Sequence, residues 1–350
     1  MTSRQEKISI QQLVNALLDI STPFPPRYLH RLSDLEGSEL ESVRQAWPRI
    51  HPTRKLALLE DLEELAESDT LVFFDELARI ALDDNEPGVR SRAISLLWES
   101  ERLDLVPRFL QMLTTDASSE VRAAAASALG KFIYLGEIDE IPPETLHTIE
   151  DRLIDVEKSN DEPMVRRRAL EALGFSSREE VSSLIQAAYE TNDPDWVASA
   201  LFAMGRSYDK GWETAILNNL HHPKANIQLE AIRAAGELEL ESSRRILLDI
   251  LEEEAQDSEI RFAAIWSLSQ IGGDEVRETL ENILDETEDE EEAEWIENAL
   301  DNLTLTETGH EMDLLNIDLT DKDLLGHVID LSEEPKDTDE ELDDDNDLIL

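Results

Sequence analysis

Along most of the chain, apolar residues recur at i, i+3 or i+4 and i+7, as in Val89, Ala93, Leu96 and Leu97. That spacing predicts helices that each bury one stripe. The stripes come in pairs. "TLVFFDELARIAL" at 70–82 and "SREEVSSLIQAAY" at 177–189 carry the first member of a pair, and a second helix follows each. Short turns with Asp and Pro, "DDNEPG" at 83–88 and "NDPD" at 192–195, separate the two, so the unit is an antiparallel pair of an outer and an inner helix. Near the N-terminus, "ISIQQLVNALLDI" at 8–20 is amphipathic. "FPPRYLHRL" at 24–32 starts a helix with proline in its first turn, and "SELESVRQAW" at 38–47 carries a capping box from Ser38 to Glu41.

The inner helix is written several times. "SSEVRAAAASALG" at 118–130 and "DEPMVRRRALEALG" at 161–174 are near copies, and the pattern Arg-x-x-Ala-x-x-small-apolar recurs from anchors at Arg90, Arg122, Arg166 and Arg261. Val197 and Gln228 head degenerate copies, Arg54 a weaker one, and Ala293 the last. Successive anchors lie 36, 32, 44, 31, 31, 33 and 32 residues apart. A period of this length belongs to a solenoid, because one pair cannot hide its stripe and a stack can. The expected organisation is an all-α solenoid of stacked antiparallel helix pairs over 51–303, behind an N-terminal helical cap over 1–50. The 44-residue step holds about twelve extra residues around "YLGEIDEIPPE" at 134–144, which either decorate the partner surface or lengthen a helix.

Small residues three and six positions after five of the eight anchors, Arg122, Arg166, Val197, Gln228 and Arg261, allow neighbouring helices to approach closely. Four units place an aspartate just before the anchor: Asp84 before Arg90, Asp116 before Arg122, Asp161 before Arg166 and Asp257 before Arg261. An arginine at a helix start opposes the macrodipole, so it is expected to reach back to the turn carboxylate and carbonyls as a structural ladder.

Charge changes the picture of partners. Acidic residues number 81 against 31 basic ones, a formal net charge of -50. Such a chain cannot replace the counterions of a nucleic acid, so a protein partner is expected, on charge grounds a basic one. The absence of cysteine removes disulfides and thiolate sites, and no apolar run is long enough to span a membrane; the expected compartment is the cytoplasm. Residues 304–350 hold 17 acidic and 2 basic side chains and no aromatic ring, a composition that predicts an acidic disordered tail. Within it, "MDLLNIDLTDKDLLGHVIDL" at 312–331 alternates acidic and apolar residues and predicts a short helix near 320–331. That helix would dock either on a partner, in the protein's own groove, or on the last repeat.

The period and the phrase Asp-x-x-x-Val-Arg-x-x-Ala-x-x-Ala-Leu-Gly resemble HEAT repeats, in particular the short subtype of the phycobilisome lyases. The resemblance implies a HEAT/armadillo-like superhelix and a scaffold or adaptor that holds protein partners along a concave face of inner helices. It also raises two enzyme classes. Deoxyhypusine hydroxylases use several His-Glu dyads to hold iron, and this chain has one, His310-Glu311; bilin lyases have no signature to test. His221-His222-Pro223 sits in a turn without a third ligand at helical spacing. No catalytic, cofactor or metal residues are assigned and no cofactor is expected.

One positional signal remains. The residue after each anchor and the one four later share a ridge, which turns from small and polar to apolar along the array. Ala198, Phe202, Leu229, Phe262 and Trp266, flanked by Arg206 and Arg233, form the expected partner-binding patch. The leading expectation is a non-catalytic scaffold binding a partner segment there, with the 312–331 segment as an intramolecular candidate. The alternatives are an enzyme or chromophore-handling protein, and a tail that mimics a polyanion for a basic partner.

Overall fold

The computed structural model describes residues 8–253 and 257–315; it is all-helical among them. The α-helices are α1 Ile10–Leu18, α2 Gly37–Ala46, α3 Pro52–Ser68, α4 Asp75–Ala81, α5 Pro87–Ser95 and α6 Leu105–Thr115. Next come α7 Ser119–Glu137, α8 Pro143–Glu157, α9 Pro163–Leu173, α10 Glu179–Tyr189, α11 Pro194–Arg206 and α12 Glu213–Leu217. The array ends with α13 Ala225–Glu237, α14 Arg244–Leu251, α15 Ser258–Ile271, α16 Asp274–Glu286 and α17 Glu290–Leu315. Odd-numbered helices from α3 onward are the inner layer and pack each on the next, while the even-numbered ones form the outer layer. Proline at the first position starts α3, α5, α9 and α11, where its missing N–H costs nothing.

Glycine and alanine set the pitch of the stack. Gly130, Gly174, Gly205 and Gly236 each stand eight residues after an anchor and face the small residue six after the next anchor. A β-carbon on Gly174 would lie 2.9 Å from the Cα of Ala203, one on Gly205 2.9 Å from that of Ala234, and one on Gly236 2.7 Å from that of Ser267. These contacts join like positions, so neighbouring inner helices run parallel. The last step has the same sense, with Asn302 on α17 donating to the Ser269 carbonyl of α15 at 3.2 Å.

Several expectations change at the edges. The first turn of α2 lacks the capping box: Glu36 precedes the helix without a side-chain cap, and Ser38 lies inside it. The reciprocal box is at α1, between Ser9 and Gln12. Residues 24–32 form a 3-10 helix, Pro26–Leu32, rather than a full α-helix. The segment 70–74 stays out of α4, leaving Leu71 and Phe73 exposed. The insertion lengthens both neighbours, so that α7 runs on to Glu137 and α8 has 15 residues. At the far end α17 continues past Thr304 to Leu315, where the tail was expected to begin. The rest of the tail, with the helix expected near 320–331, lies outside the described residues.

Candidate interaction groove

The charged ladder is present, and its direction differs from the expectation. Arg90 donates through Nε and Nη2 to the carboxylate of Asp116, at 2.8 and 2.7 Å, in the turn of the next unit. Its own turn receives only Nη1, on the Asp84 carbonyl at 2.8 Å. Arg122 repeats the arrangement, with Asp161 at 2.9 and 2.5 Å and the Asp116 carbonyl at 2.8 Å. A planar guanidinium can serve a carboxylate ahead and a carbonyl behind at once, which explains why the carboxylate it takes is the next unit's. Arg166 keeps the rear bond, to the Glu157 carbonyl at 2.6 Å, but its forward contact is the face of Trp196, 5.1 Å away. Gln228 replaces an arginine and still reaches back to the Leu220 carbonyl at 3.0 Å. Asp257 caps α15 through the Glu259 amide at 3.0 Å, and Arg261 pairs forward with Glu292.

In the first unit the cation is Lys55, one residue after the expected anchor. Its ammonium lies 2.6 Å from the buried Asp84 carboxylate, which also accepts from the Trp47 indole at 2.8 Å. Arg54 instead donates to the Asp19 and Thr22 carbonyls of the cap. Burial raises the Asp84 carboxyl, but the Lys55, Glu86 amide and Trp47 hydrogen bonds outweigh it and hold the group below its usual range. Asp116 is depressed by the same balance, with burial opposed by Arg90, while Arg122 leads the depression of Asp161. These residues brace the turns between successive units.

The inner layer does enclose open space. A groove of about 740 Å³ is lined by residues from α3 to α11, among them Glu67, Trp98, Ser127, Lys131, Tyr134, Phe175, Arg168 and Arg206. One groove touching five successive inner helices requires their exposed face to curve around it. Trp98 is 56% exposed and Tyr134 36%, although both are large aromatic residues. Tyr134 stands on the part of α7 that the insertion extends, so the extra turns carry it into the groove. Its ring contacts Phe175 at 5.4 Å.

Arg206 closes this row. Its guanidinium lies 4.8 Å from the Phe175 ring centroid and 4.1 Å from that of Phe202. Among the described residues no carboxylate is within ion-pair distance of it. Burial pushes the group down from its usual value against the pull of Glu237, Glu171 and Glu230. The neighbouring arginines are all paired: Arg167 with Asp195 at 2.7 Å, Arg168 with Glu171, and Arg233 with Glu230 at 3.1 Å and Glu259 at 3.7 Å. They line a second, polar cleft of about 340 Å³ beside the groove.

The residues of the expected patch are thus distributed among three settings. Phe202 and Arg206 pack beside Phe175 at the end of the aromatic row, and Ala198, Phe202 and Arg233 line the polar cleft. Ala198 and Leu229 are buried, each 9% exposed. Phe262 stacks on Trp295 of the next inner helix, with ring centroids 5.5 Å apart and planes 10° from parallel, and Trp266 is half-buried. Trp98, Lys131, Tyr134 and Phe175 were not singled out from sequence. They stand eight to twelve residues after their anchors, beyond the ridge positions, at the C-terminal ends of the inner helices.

Among the described residues no group of three or more His, Cys, Asp or Glu side chains is placed to hold a metal ion. No described helix is long and apolar enough to cross a membrane. His310 and Glu311 fall within α17.

No curated protein matches the chain. Among solved structures, it is similar to YibA from Escherichia coli at 16% identity, covering 82% of this chain and 98% of that one, with a TM-score of 0.42. It is similar to a chain of the complex of CpcE and CpcF of phycocyanin lyase from Nostoc at 21% identity, covering 65% and 94%, with a TM-score of 0.44. For human deoxyhypusine hydroxylase in complex with glycerol, the identity is 17%, the coverage 75% and 95%, and the TM-score 0.33. Likenesses of this size bear on neither activity nor partner. The family of HEAT repeats matches residues 74–155 and 213–301 of the array.

Proposed function

We propose that the protein is a non-catalytic interaction scaffold and that the groove from Trp98 to Arg206 docks an extended segment of a protein partner. The observation that carries this reading is Arg206, held against two phenylalanine rings with no described carboxylate within ion-pair distance, in a chain whose net charge is -50. A cation left unpaired amid such an excess of acid is available to a ligand. Trp, Tyr and Arg are the side chains that most often dominate binding energy, and here they line one groove. Arg206, beside Phe175 at one end of the groove, suits a segment that offers apolar side chains together with a carboxylate. This inverts the basic partner that net charge alone suggests, because a groove is read by its lining and the outer surface is read by the sum.

Affinity capture from native cells tests the proposal. Proteins that copurify with the parent chain should be lost from Arg206→Glu and from Trp98→Ala with Tyr134→Ala, and retained by Ser183→Ala on the outer helix α10. The same set captured by all four chains would contradict it.

A further inference from the structure

We infer that the groove carries opposite charge at its two ends and so sets the direction of the segment it binds: the Trp98 end takes a bulky apolar side chain next to Lys or Arg, and the Arg206 end takes a carboxylate. The inference rests on the groove reading above and names the chemistry of the partner.

The Trp98 end is apolar in its walls and acidic at its rim. Trp98, just past the end of α5, lines the groove and also a neighbouring hollow of about 360 Å³. Val72, Phe73, Phe74 and Leu96 are the other large apolar residues of that hollow. Because the segment before α4 stays out of the helix, Phe73 is left 55% exposed on the same hollow as the Trp98 ring. Large rings left in water around one concavity mark a place where an apolar side chain is received.

The charged residues lining the hollow are Asp75, Glu99 and Glu101, with no cation among them. Asp75 accepts from the Ser100 hydroxyl at 2.6 Å, and Glu101 lies 3.4 Å from the Lys131 ammonium, which also donates to the Glu99 carbonyl at 2.6 Å. On the groove side, Glu63 is held by Arg92 at 2.8 Å. The carboxylates of Glu67 and Glu99 remain: both residues are exposed, and no described cation is within ion-pair distance of either. A Lys or Arg side chain reaching this end would meet them together with the Trp98 ring face, which attracts a cation in its own right.

At the other end the signs are reversed. Arg206 lies on the Phe175 and Phe202 rings with no described carboxylate within ion-pair distance, while Arg168 is paired with Glu171. Three inter-helix steps of about 9 Å, from α5 to α11, separate the two ends, roughly 25 Å. An extended chain advances about 3.3 Å per residue, so the matching charges on the segment lie about seven or eight residues apart. Docked the other way round, the segment would set its cation against Arg206 and its carboxylate against Glu67 and Glu99, which like-charge repulsion disfavours.

A phage library of random twelve-residue peptides, panned on the full chain at physiological salt, supplies the probe, and the affinities of enriched peptides are measured by fluorescence anisotropy. The enriched sequences should place a bulky apolar residue next to Lys or Arg, with Asp or Glu about seven or eight residues away. Glu67→Lys with Glu99→Lys should weaken their binding at least ten-fold, as should Trp98→Ala. Glu179→Lys with Glu190→Lys, at the outer helix α10, makes the same change in net charge and should leave affinity within two-fold. Replacing the peptide's acidic residue by Lys should weaken binding to the parent and restore it on Arg206→Glu. Peptides acidic throughout, or affinities that respond equally to the two pairs of lysine substitutions, would overturn the inference. If Trp98→Ala and Arg206→Glu weaken the peptides while Glu67→Lys with Glu99→Lys does not, the groove stands and its direction falls. If no peptide depends on any of these residues, both readings fall.

Discussion

Gly236→Ala on α13 would test the close parallel stacking of inner helices. In an open helix the substitution stabilises by about 1 kcal/mol, because alanine has the better helix propensity. Here the new β-carbon would lie 2.7 Å from both the Cα and the Oγ of Ser267 and 2.8 Å from its Cβ. Two of these atoms are fixed to the backbone of α15, so the helices must separate or bend. Overpacking of this kind costs typically 1–3 kcal/mol, and the tightness of the contact places it at the upper end. Ser267 also donates to the Ile232 carbonyl at 2.8 Å in the buried seam, and losing that bond removes about 1 kcal/mol more. The net expectation is a loss of about 2–3 kcal/mol. With a urea m-value of about 2–3 kcal/mol/M, the midpoint followed by far-UV circular dichroism should fall by about 1 M. Gly88→Ala is the matched contrast, since its β-carbon meets only the Leu56 methyl at 3.2 Å, a side-chain end that can turn away. It should leave the midpoint unchanged or raise it. A Gly236→Ala midpoint equal to the parent's, or above it, would refute close inner-helix packing as the source of the pitch.

Further outcomes follow from the same structure. Arg122→Lys should cost more than 1 kcal/mol in chemical denaturation, because an ammonium cannot hold the Asp161 carboxylate at two points and the Asp116 carbonyl together. Ala169→Glu should cost about 3–5 kcal/mol by burying an unpaired charge at a seam that is 0% exposed, and an unchanged melting temperature would show the faces reversed. Trp98→Ala, by contrast, should change stability by less than about 0.5 kcal/mol while abolishing partner capture, as the ring is mostly in solvent. The stability–pH profile should have a maximum on the acid side of neutrality. Burial raises Glu150, Glu157, Glu230 and Glu237 above 4.5, so ionising them opposes folding and stability is gained as pH falls through their folded values. Asp84, Asp116 and Asp161 are held below 3.8, so their contribution is present above that value and lost as pH falls through the depressed ones. Urea midpoints measured from pH 8 to pH 3 should therefore rise and then drop; a steady fall from pH 7 downward would contradict the assignment.

The inner helices were legible because their alanines and anchors repeat with the structure's own period, and Ala125, Ala169, Ala200 and Ala231 are all fully buried. The ladder was legible in its members and misread in its connectivity. Sequence shows Asp84 six residues before Arg90 and Asp116 twenty-six after it, and only the stacking distance decides which carboxylate a forked side chain can reach. Lys55 escapes the pattern because Arg54 stands beside it at the position the repeat gives to arginine. Beside the groove, Phe202 lies on the ridge that periodicity exposes, with Arg206 one helical turn past it. Trp98, Tyr134 and Phe175 lie past it, where irregular helix ends and the insertion break the period and no positional rule applies. Phe262 shows the converse: its ridge position is right, but Trp295 from the following unit covers it, a contact between residues 33 apart that one helix cannot announce.

The central claim is that the inner face is a docking surface, and photo-crosslinking tests it most directly. A benzophenone side chain placed at Tyr134 in the full chain, irradiated in native cells, should give discrete adducts with a protein partner. Those adducts should weaken when Arg206→Glu or Lys131→Glu is added. No adducts beyond those formed from the same probe at Ser183 on the outer layer, or adducts indifferent to both charge reversals, would contradict it.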